Sequence, residues 1–217
     1  MSEALFEAID KHDVDRLAKL LAAGEDPNQP LASSEGFSPL QLAVWELEAL
    51  SESEPGISIE AVVLLLRYGA VVDGNEKRSI TPPILTAVKI GHIECVRILL
   101  AAGADPNLCC EEGYSPIGYC SQNRLLEMAR LLLRCGADKT IHKSGGLAGM
   151  NALGYAAYGL DVDMVKLLLA HGADPSLPDV DRMTPLDHLR RFPYHSLPET
   201  PTKQERFQEI RRLLGGT

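Results

Sequence analysis

The chain has 217 residues, 45% of them hydrophobic, and a formal net charge of -9 at pH 7. The length suits one or two ordinary domains or a short repeat array, and the hydrophobic content allows a sizeable core. The acidic balance disfavours non-specific binding to nucleic acid or to an anionic membrane, because both require a basic surface. No apolar stretch is long enough to cross a bilayer. Five cysteines without regular spacing indicate reduced thiols, so we expect a cytoplasmic protein.

A short phrase recurs along the chain. Its clearest copy is Gly-Ala-Asp-Pro-Asn at residues 103–107, and altered copies begin at Gly24, Gly69, Gly136 and Gly172. Leucine-rich runs precede these copies, and the spacing between successive glycines is 45, 34, 33 and 36 residues. A period near 33 residues predicts a stack of small units. In such an array, function is read down the equivalent positions of successive repeats.

The fourth copy illustrates how one unit is built. Ser115 is suited to cap a helix, and Pro116 to occupy its first position. After this short helix, a second begins near Leu125 and has a broad apolar face. Gly136 then supplies the left-handed backbone that ends a helix. Each unit is therefore predicted to be a helix, a tight turn, a second helix and an extended finger loop.

The units follow one another along the whole chain. We predict a single domain of residues 1–217, divided at about 1–29, 30–73, 74–107, 108–140, 141–176 and 177–217. The polar first unit and the amphipathic last helix, about residues 203–214, are suited to cap the stack. Two insertions interrupt the pattern, one centred on residues 48–57 and the other at 193–201. Insertions in repeat arrays map to loops on one face.

This arrangement resembles the ankyrin repeat. The first-helix signature of that family, Thr-Pro-Leu-His-x-Ala, is similar to residues 38–43, 82–87, 115–120, 151–156 and 184–189. The second-helix signature, Gly-His-x-Glu-x-Val-x-x-Leu-Leu, is nearly intact at residues 91–100. The Asp-Pro-Asn ending resembles bacterial members of the family. The resemblance implies a small, stand-alone, all-α ankyrin-repeat solenoid of about six helix-turn-helix units with finger loops and degenerate capping repeats at both ends.

The histidine of the first-helix signature is absent from every copy. Its replacements are Gln41, Leu85, Gly118, Gly154 and Asp187. In the family, this histidine bonds to the preceding threonine and to the neighbouring finger, so the resemblance implies reduced stability and looser contact between repeats. Gln41 and Asp187 can compensate in part as capping-box partners. Gly118 and Gly154 cannot, and each costs about 1 kcal/mol inside a helix.

The chain contains no motif of a common enzyme class. Phosphate-binding, dinucleotide-binding, zinc-protease and nucleophile-elbow patterns are all missing, and no histidine pairs with cysteine at metal-ligand spacing. We therefore predict a non-enzymatic protein with no cofactor and no metal site. Cys109 and Cys110 leave open a thiol-based redox regulator, against the alternative of two ordinary finger residues. Cys95 and Cys120 occupy core positions and behave as small hydrophobic residues, and His92 matches the structural histidine of the second helix.

The family resemblance also implies where a partner protein would bind, namely the fingers and the ends of the helices on a concave face. Aromatic side chains are frequent at these positions, as is typical of interface anchors. Acidic residues, including Asp181, surround them and favour a partner with a basic surface. The predicted contact residues are Glu35, Phe37, Trp45, Glu46, Tyr68, Glu111, Glu112, Tyr114, Met150, Tyr158, Met183 and Phe192.

The predicted function is thus protein binding by an adaptor or by an inhibitor of the immunity-protein type, monomeric when free. Two alternatives stay open: a homo-oligomeric structural element that buries the same patch, and the redox regulator. For Trp45 and Phe192 a structural role is also open, because each ring could pack beneath the neighbouring insertion.

Overall fold

A computed structural model describes residues 3–30, 36–50, 59–74, 81–146, 148–191 and 201–215, with the backbone alone for residues 48–50 and 201. The chain divides into two compact units, Met1–Glu111 and Glu112–Thr217. Within the described ranges the regular structure is entirely helical. The predicted contact residues Glu35 and Phe192, and most of the two insertions, lie outside these ranges.

The first unit is built from three pairs of helices. The first helices of the repeats, α1, α3 and α5, pack side by side, and α2 packs against α4. Their facing sides supply the core, in which Leu5, Leu40 and Ile84 are fully buried. The helices are α1 (Glu3–Asp10), α2 (Val14–Ala22), α3 (Pro39–Leu50), α4 (Glu60–Arg67), α5 (Pro83–Lys89) and α6 (Ile93–Ala101).

The second unit continues the same plan. Its first helices are α7, α9 and α11, and α9 packs against both of the others. The final helix packs against α10 and α11, as expected for a cap. The helices are α7 (Pro116–Gln122), α8 (Leu126–Arg134), a 3-10 turn (Ala137–Thr140), α9 (Ala152–Tyr158), α10 (Val162–Ala170), α11 (Pro185–Arg191) and α12 (Pro201–Leu213).

Side-chain caps define where the helices begin, as the sequence predicts. The Ser115 hydroxyl accepts a hydrogen bond from the Gly118 N–H at 3.1 Å, and Pro116 takes the first helical position. Three of the second helices, α2, α6 and α10, have side-chain caps too; in α6, His92 Nδ1 accepts from the Cys95 N–H at 3.1 Å. His92 is therefore a structural residue. At the end of α8, Gly136 adopts the predicted left-handed backbone, with a φ of 90°.

The first expected insertion begins in a helix, and the second ends in one. The extra residues of the second repeat start as an extension of α3, which runs to Leu50. The last helix begins at Pro201, two residues before the predicted start. On its apolar face, Ile210 and Leu214 are buried, whereas Phe207 and Leu213 are only half-buried.

Amide side chains take over the role of the missing histidines. Gln41 Oε1 accepts from the Ser38 N–H at 2.9 Å, and its Nε2 donates to the Thr81 carbonyl, 3.5 Å away at the start of the next repeat. Asn151 does the same in the fifth repeat. Its Oδ1 caps the helix by accepting from the Gly154 N–H at 2.8 Å, and its Nδ2 donates to the Leu177 carbonyl at 3.4 Å.

The expected loss of contact between repeats can be compared with the structure at Asp187 and at Gly154. Asp187 accepts hydrogen bonds from the N–H and hydroxyl of Thr184, as the capping-box prediction requires. Gly154 itself makes no compensating side-chain bond, but Asn151 supplies the tie to the next finger. The connection between repeats is therefore not lost at that position.

Polar side chains also link one finger to the next. In the first unit, Asn28 donates to the Gly69 carbonyl at 2.9 Å and accepts from the Val71 N–H at 2.7 Å. In the second unit, His142 Nε2 accepts from the Asp174 N–H at 2.9 Å. Each bond joins residues more than thirty positions apart, so the fingers are held together repeat by repeat.

The sixth repeat contains a buried polar pair that sequence reasoning did not identify. Asp179 lies in the finger and His188 in α11, with Asp179 Oδ2 2.5 Å from His188 Nε2. The two side chains are 0% and 3% exposed, respectively. The other carboxylate oxygen accepts from the N–H groups of Asp181 and Met183, at 2.9 and 3.1 Å. One carboxylate therefore shapes the finger turn and fastens it to α11.

Candidate protein-binding surface

One residue of every repeat occupies the same position in the first helix. It is the seventh residue in the helices that begin at Pro39, Pro83, Pro116, Ala152 and Pro185, and the last residue in α1. We call this set the first-helix column. Its members are Asp10, Trp45, Lys89, Gln122, Tyr158 and Arg191.

A tight turn follows the column and fixes its direction. Two positions after the column residue, the backbone is left-handed in four repeats. In these four repeats, this conformation ends the first helix and starts the second within a few residues, so the column residue sits at the end of its helix. In the second repeat, α3 continues to Leu50, so Trp45 lies within the helix. The left-handed residues are His12, Gly91, Arg124 and Leu160, with φ of 52°, 73°, 58° and 54°.

The column residues differ from their neighbours in exposure. Ala43 and Val44 on α3, and Ala156 and Ala157 on α9, are buried against adjacent helices. The next aromatic residue on each helix, Trp45 or Tyr158, is instead 51% or 39% exposed. Large aromatic side chains thus appear at the same repeat position in both units, where stacking does not bury them.

In the first unit, α3 lies between α1 and α5. The column therefore presents Trp45 with Asp10 on one side and Lys89 on the other. Glu46 lies on the Asp10 side. Partial burial raises the pKa of the Glu46 carboxyl, the Asp10 charge raises it further, and His12 lowers it. This end of the unit combines an exposed indole with two carboxylates.

In the second unit, α9 lies between α7 and α11. The column presents Tyr158 with Gln122 on one side and Arg191 on the other. The Arg124 guanidinium donates a hydrogen bond to the Gly159 carbonyl, which follows Tyr158 directly. The polar environment of the tyrosine is therefore neutral to basic, in contrast with that of Trp45.

The other predicted contact residues lie in several places. Tyr68, 42% exposed, ends α4 rather than a first helix. Phe37, Met150 and Met183 lie just before first helices and are half-buried, and Glu111 and Glu112 are exposed in the fourth finger. Among the described residues of the first unit, the structure thus groups Trp45 with Glu46, on the side of α3 that faces α1.

Tyr114 belongs mainly to the scaffold of the fingers. Its ring meets the Tyr119 ring edge-on, with centroids 5.9 Å apart and planes at 74°. It also lies against Gly146, where a β-carbon would come within 2.2 Å of the tyrosine ring. The Gly146 N–H donates to the Glu112 carbonyl at 3.0 Å, which brings the two fingers together. The sequence could not show this contact, because it depends on a glycine thirty-two positions away.

None of the five cysteines forms a disulfide, and their surroundings differ. Cys95 and Cys120 are buried, as predicted for core residues, and burial raises the pKa of both thiols, that of Cys95 to about 12. Cys110 is buried next to the half-buried Cys109, whose thiol donates to the Asn107 carbonyl at 3.3 Å. Cys135 is exposed at the end of α8.

Among the described residues, no group of histidine, cysteine and acidic side chains could hold a metal ion. None of the described helices is long and apolar enough to span a membrane.

Family models match the sequence over more than half of its length. The model of three ankyrin repeats matches residues 52–143, and the single ankyrin-repeat model matches residues 148–180. The chain is an ankyrin-repeat protein. Ankyrin repeats generally serve as protein–protein interaction modules, and their fold is typically a non-enzymatic scaffold.

Known proteins show the same resemblance. An ankyrin repeat domain from Acinetobacter baumannii AYE, solved by crystallography, has a TM-score of 0.77 with 24% identity, over 100% of both chains. The Neurospora crassa protein "Ankyrin repeat protein nuc-2" is 31% identical over 55% of this chain. The mouse "B-cell lymphoma 3 protein homolog" is 33% identical over 51% of it. The matched segments span only 11% and 25% of these two relatives.

Proposed function

We propose that this ankyrin-repeat protein binds a partner protein through its first-helix column and acts without catalysis, as an adaptor or as an inhibitor of the immunity-protein type. The observation that carries the proposal is the exposure of Trp45 and Tyr158, 51% and 39%, at the same repeat position. That the column lines a concave face stays a prediction.

Exposed aromatic rings reduce the stability of the free protein but can contribute strongly to the binding of a partner. A tryptophan or tyrosine side chain left in water forgoes the stabilisation that its burial would bring. Such rings are rigid and large, and they are enriched among the residues that contribute most to binding energy. The residues that precede each ring on its helix are buried, so the backbone that carries the ring is fixed before a partner arrives. Less conformational entropy is then lost on binding.

The varied chemistry of the column also favours recognition over structure. The position that precedes the column is apolar and buried in four repeats, at Ile9, Val44, Val88 and Ala157, whereas it holds a buried serine in α7 and an exposed arginine in α11. The column instead holds an acidic, an amide, two aromatic and two basic side chains. Differences of this kind provide specificity for one partner surface.

Affinity capture tests the proposal. We expect wild-type protein, used as bait in lysate of the native organism, to retain partners that the Trp45→Ala/Tyr158→Ala variant does not. The matched control is Val71→Ala/Leu177→Ala, which removes two exposed apolar side chains outside the column. Circular dichroism checks that both variants are folded. Recovery of the same partners by wild type and by the aromatic variant would refute the proposal.

The homo-oligomer alternative needs a separate measurement. Size-exclusion chromatography with light scattering gives the mass of the purified protein. A dimer that the Trp45→Ala/Tyr158→Ala variant converts to a monomer would indicate self-association through the same column. A wild-type monomer would favour a different protein as the partner.

A further inference from the structure

We propose that the Trp45 end of the first unit receives a cationic side chain, lysine or arginine, from a basic segment of the partner protein, with Asp10 and Glu46 as the opposing carboxylates. The inference rests on the proposed function and specifies the partner class for one part of the first-helix column.

Charge complementarity is the first argument. The negative charge of the chain is concentrated in the first unit. Residues 1–111 contain 18 acidic and 8 basic side chains, a net charge of -10, whereas residues 112–217 contain 12 acidic and 13 basic ones, a net charge of +1. The first unit alone therefore attracts a basic surface and speeds its encounter.

The negative charges of Asp10 and Glu46 are only weakly compensated, by His12, which lowers the pKa of Glu46. By contrast, Glu7, which lies on α1 with Asp10, pairs with Lys11 at 2.5 Å and with Arg16 at 2.8 Å. Among the residues that the structure describes, Asp10 and Glu46 form no such ion pair. The partial burial of Glu46 and, to a smaller extent, its repulsion by Asp10 disfavour its charged form and raise its pKa. An incoming cation would relieve this repulsion.

The exposed indole is the third argument. Tryptophan is the best aromatic partner for a cation placed over its face. Trp45 is 51% exposed and lies one residue from Glu46, on the helix that packs against α1. Lys89 occupies the opposite flank of Trp45, so the cation is expected on the Asp10 side. An exposed indole on the helix that also carries Glu46 suits an ammonium or guanidinium group with a long stem, because the aliphatic part of lysine or arginine can lie along the ring while the charge reaches the carboxylates.

The single tryptophan makes the site directly observable. Because Trp45 is the only tryptophan in the chain, its fluorescence reports on this position alone. The probes are a ten-residue peptide of alternating lysine and glycine, and its glutamate–glycine counterpart. We expect a saturable change in Trp45 fluorescence with the lysine peptide, none with the glutamate peptide, and weaker binding at higher salt.

Matched variants separate the site from the net charge. Asp10→Asn/Glu46→Gln is expected to weaken peptide binding about tenfold, as for the loss of two partly exposed charge contacts. Asp15→Asn/Glu94→Gln changes the net charge of the same unit equally, at exposed residues of α2 and α6, and should weaken binding less than about twofold. Absence of a saturable change in the wild type, or equal weakening by the two variants, would overturn the inference.

The result is independent of the capture experiment. If partner capture requires Trp45 and Tyr158 but the lysine peptide does not bind, the cation inference fails and the proposed function stands. If the peptide binds as described while the aromatic variant still captures every partner, the cation site stands and the proposed function fails.

Discussion

The imidazole of His188 lies against Gly154, so closely that a β-carbon on the glycine would come within 3.2 Å of His188 Cδ2. It would also be 3.3 Å from Asn151 Oδ1, which caps the same helix. The glycine that replaces the family histidine thus leaves room for another histidine, from the next repeat. His188 in turn is fixed by Asp179.

This relationship predicts different outcomes for two helical glycines. Gly118→Ala should raise the free energy of unfolding by about 0.5 kcal/mol, because alanine is the better helix former and the new β-carbon has one close neighbour, the capping Ser115 hydroxyl at 3.1 Å, which must move by a few tenths of an ångström. Gly154→Ala should give no such gain, since His188 and the capping Asn151 would both have to shift. Urea unfolding of the two variants provides the comparison, and an equal gain in both would contradict the packing at Gly154.

The Asp179–His188 pair predicts a large loss of stability when one partner is removed. Asp179→Ala leaves the buried His188 ring and two backbone N–H groups without their acceptor, so we expect a cost of about 3 kcal/mol. Asp181→Ala, an exposed change two residues away, should stay within about 0.5 kcal/mol. Chemical unfolding followed by circular dichroism measures both, and equal values would show that the pair contributes little.

Asn28 predicts a local effect that hydrogen exchange can detect. Its amide is bonded to the Gly69 carbonyl and to the Val71 N–H in the next finger. Asn28→Ala should therefore speed hydrogen exchange at the Val71 amide by about tenfold. This change corresponds to about 1.4 kcal/mol, which is within the range for one lost hydrogen bond. The Asp105 N–H, which bonds to Asp73, serves as an internal reference that should not change. Unaltered exchange at Val71 would argue against the finger tie.

Thiol reactivity should follow burial. At pH 8, brief treatment with iodoacetamide is expected to modify Cys135 first and Cys109 more slowly, and to leave Cys95 and Cys120 intact until the protein unfolds. The buried thiols combine lack of access with a raised pKa, so they hold almost no thiolate at this pH. Mass spectrometry of the peptides identifies the modified sites. Early modification of Cys95 in the folded protein would contradict its burial.

The raised pKa of the Cys95 thiol predicts a loss of stability at alkaline pH. The pKa of Cys95 is about 12 in the folded protein and 9.0 for an ordinary thiol. Between these values the unfolded chain releases a proton that the folded protein retains, so stability falls as pH rises above about 9. For one group the slope reaches at most about 1.4 kcal/mol per pH unit. Cys95→Ala should show a smaller decline between pH 9 and 10.5 than the wild type, when each is compared with its own value at pH 8.

The helices and their ends could be predicted because their causes are local. Ser115, Pro116 and Gly136 act within one turn of the backbone that they control, so the sequence contains the whole explanation. The exposure of Trp45 and Tyr158 followed from the repeat register in the same way. In each case a residue could be placed without knowing what lies across from it.

The remaining features depend on residues distant in the chain. The donation from Asn151 to the Leu177 carbonyl, and the packing of Tyr114 on Gly146, join positions more than twenty-five residues apart. His188 was noted only as a residue near the end of the chain, because its partner Asp179 has no signature outside the fold. The uneven distribution of charge was visible in the sequence, but the net charge of the whole chain concealed it.

The first-helix column has a consequence for how such a protein changes over evolutionary time. Five of the six column side chains are exposed and Lys89 is half-buried, whereas the backbone that presents them is held by buried neighbours. A substitution at the exposed residues Gln122 or Arg191 would therefore alter what the surface recognises while costing little stability. New specificities can arise here by single mutations, without passing through poorly folded intermediates.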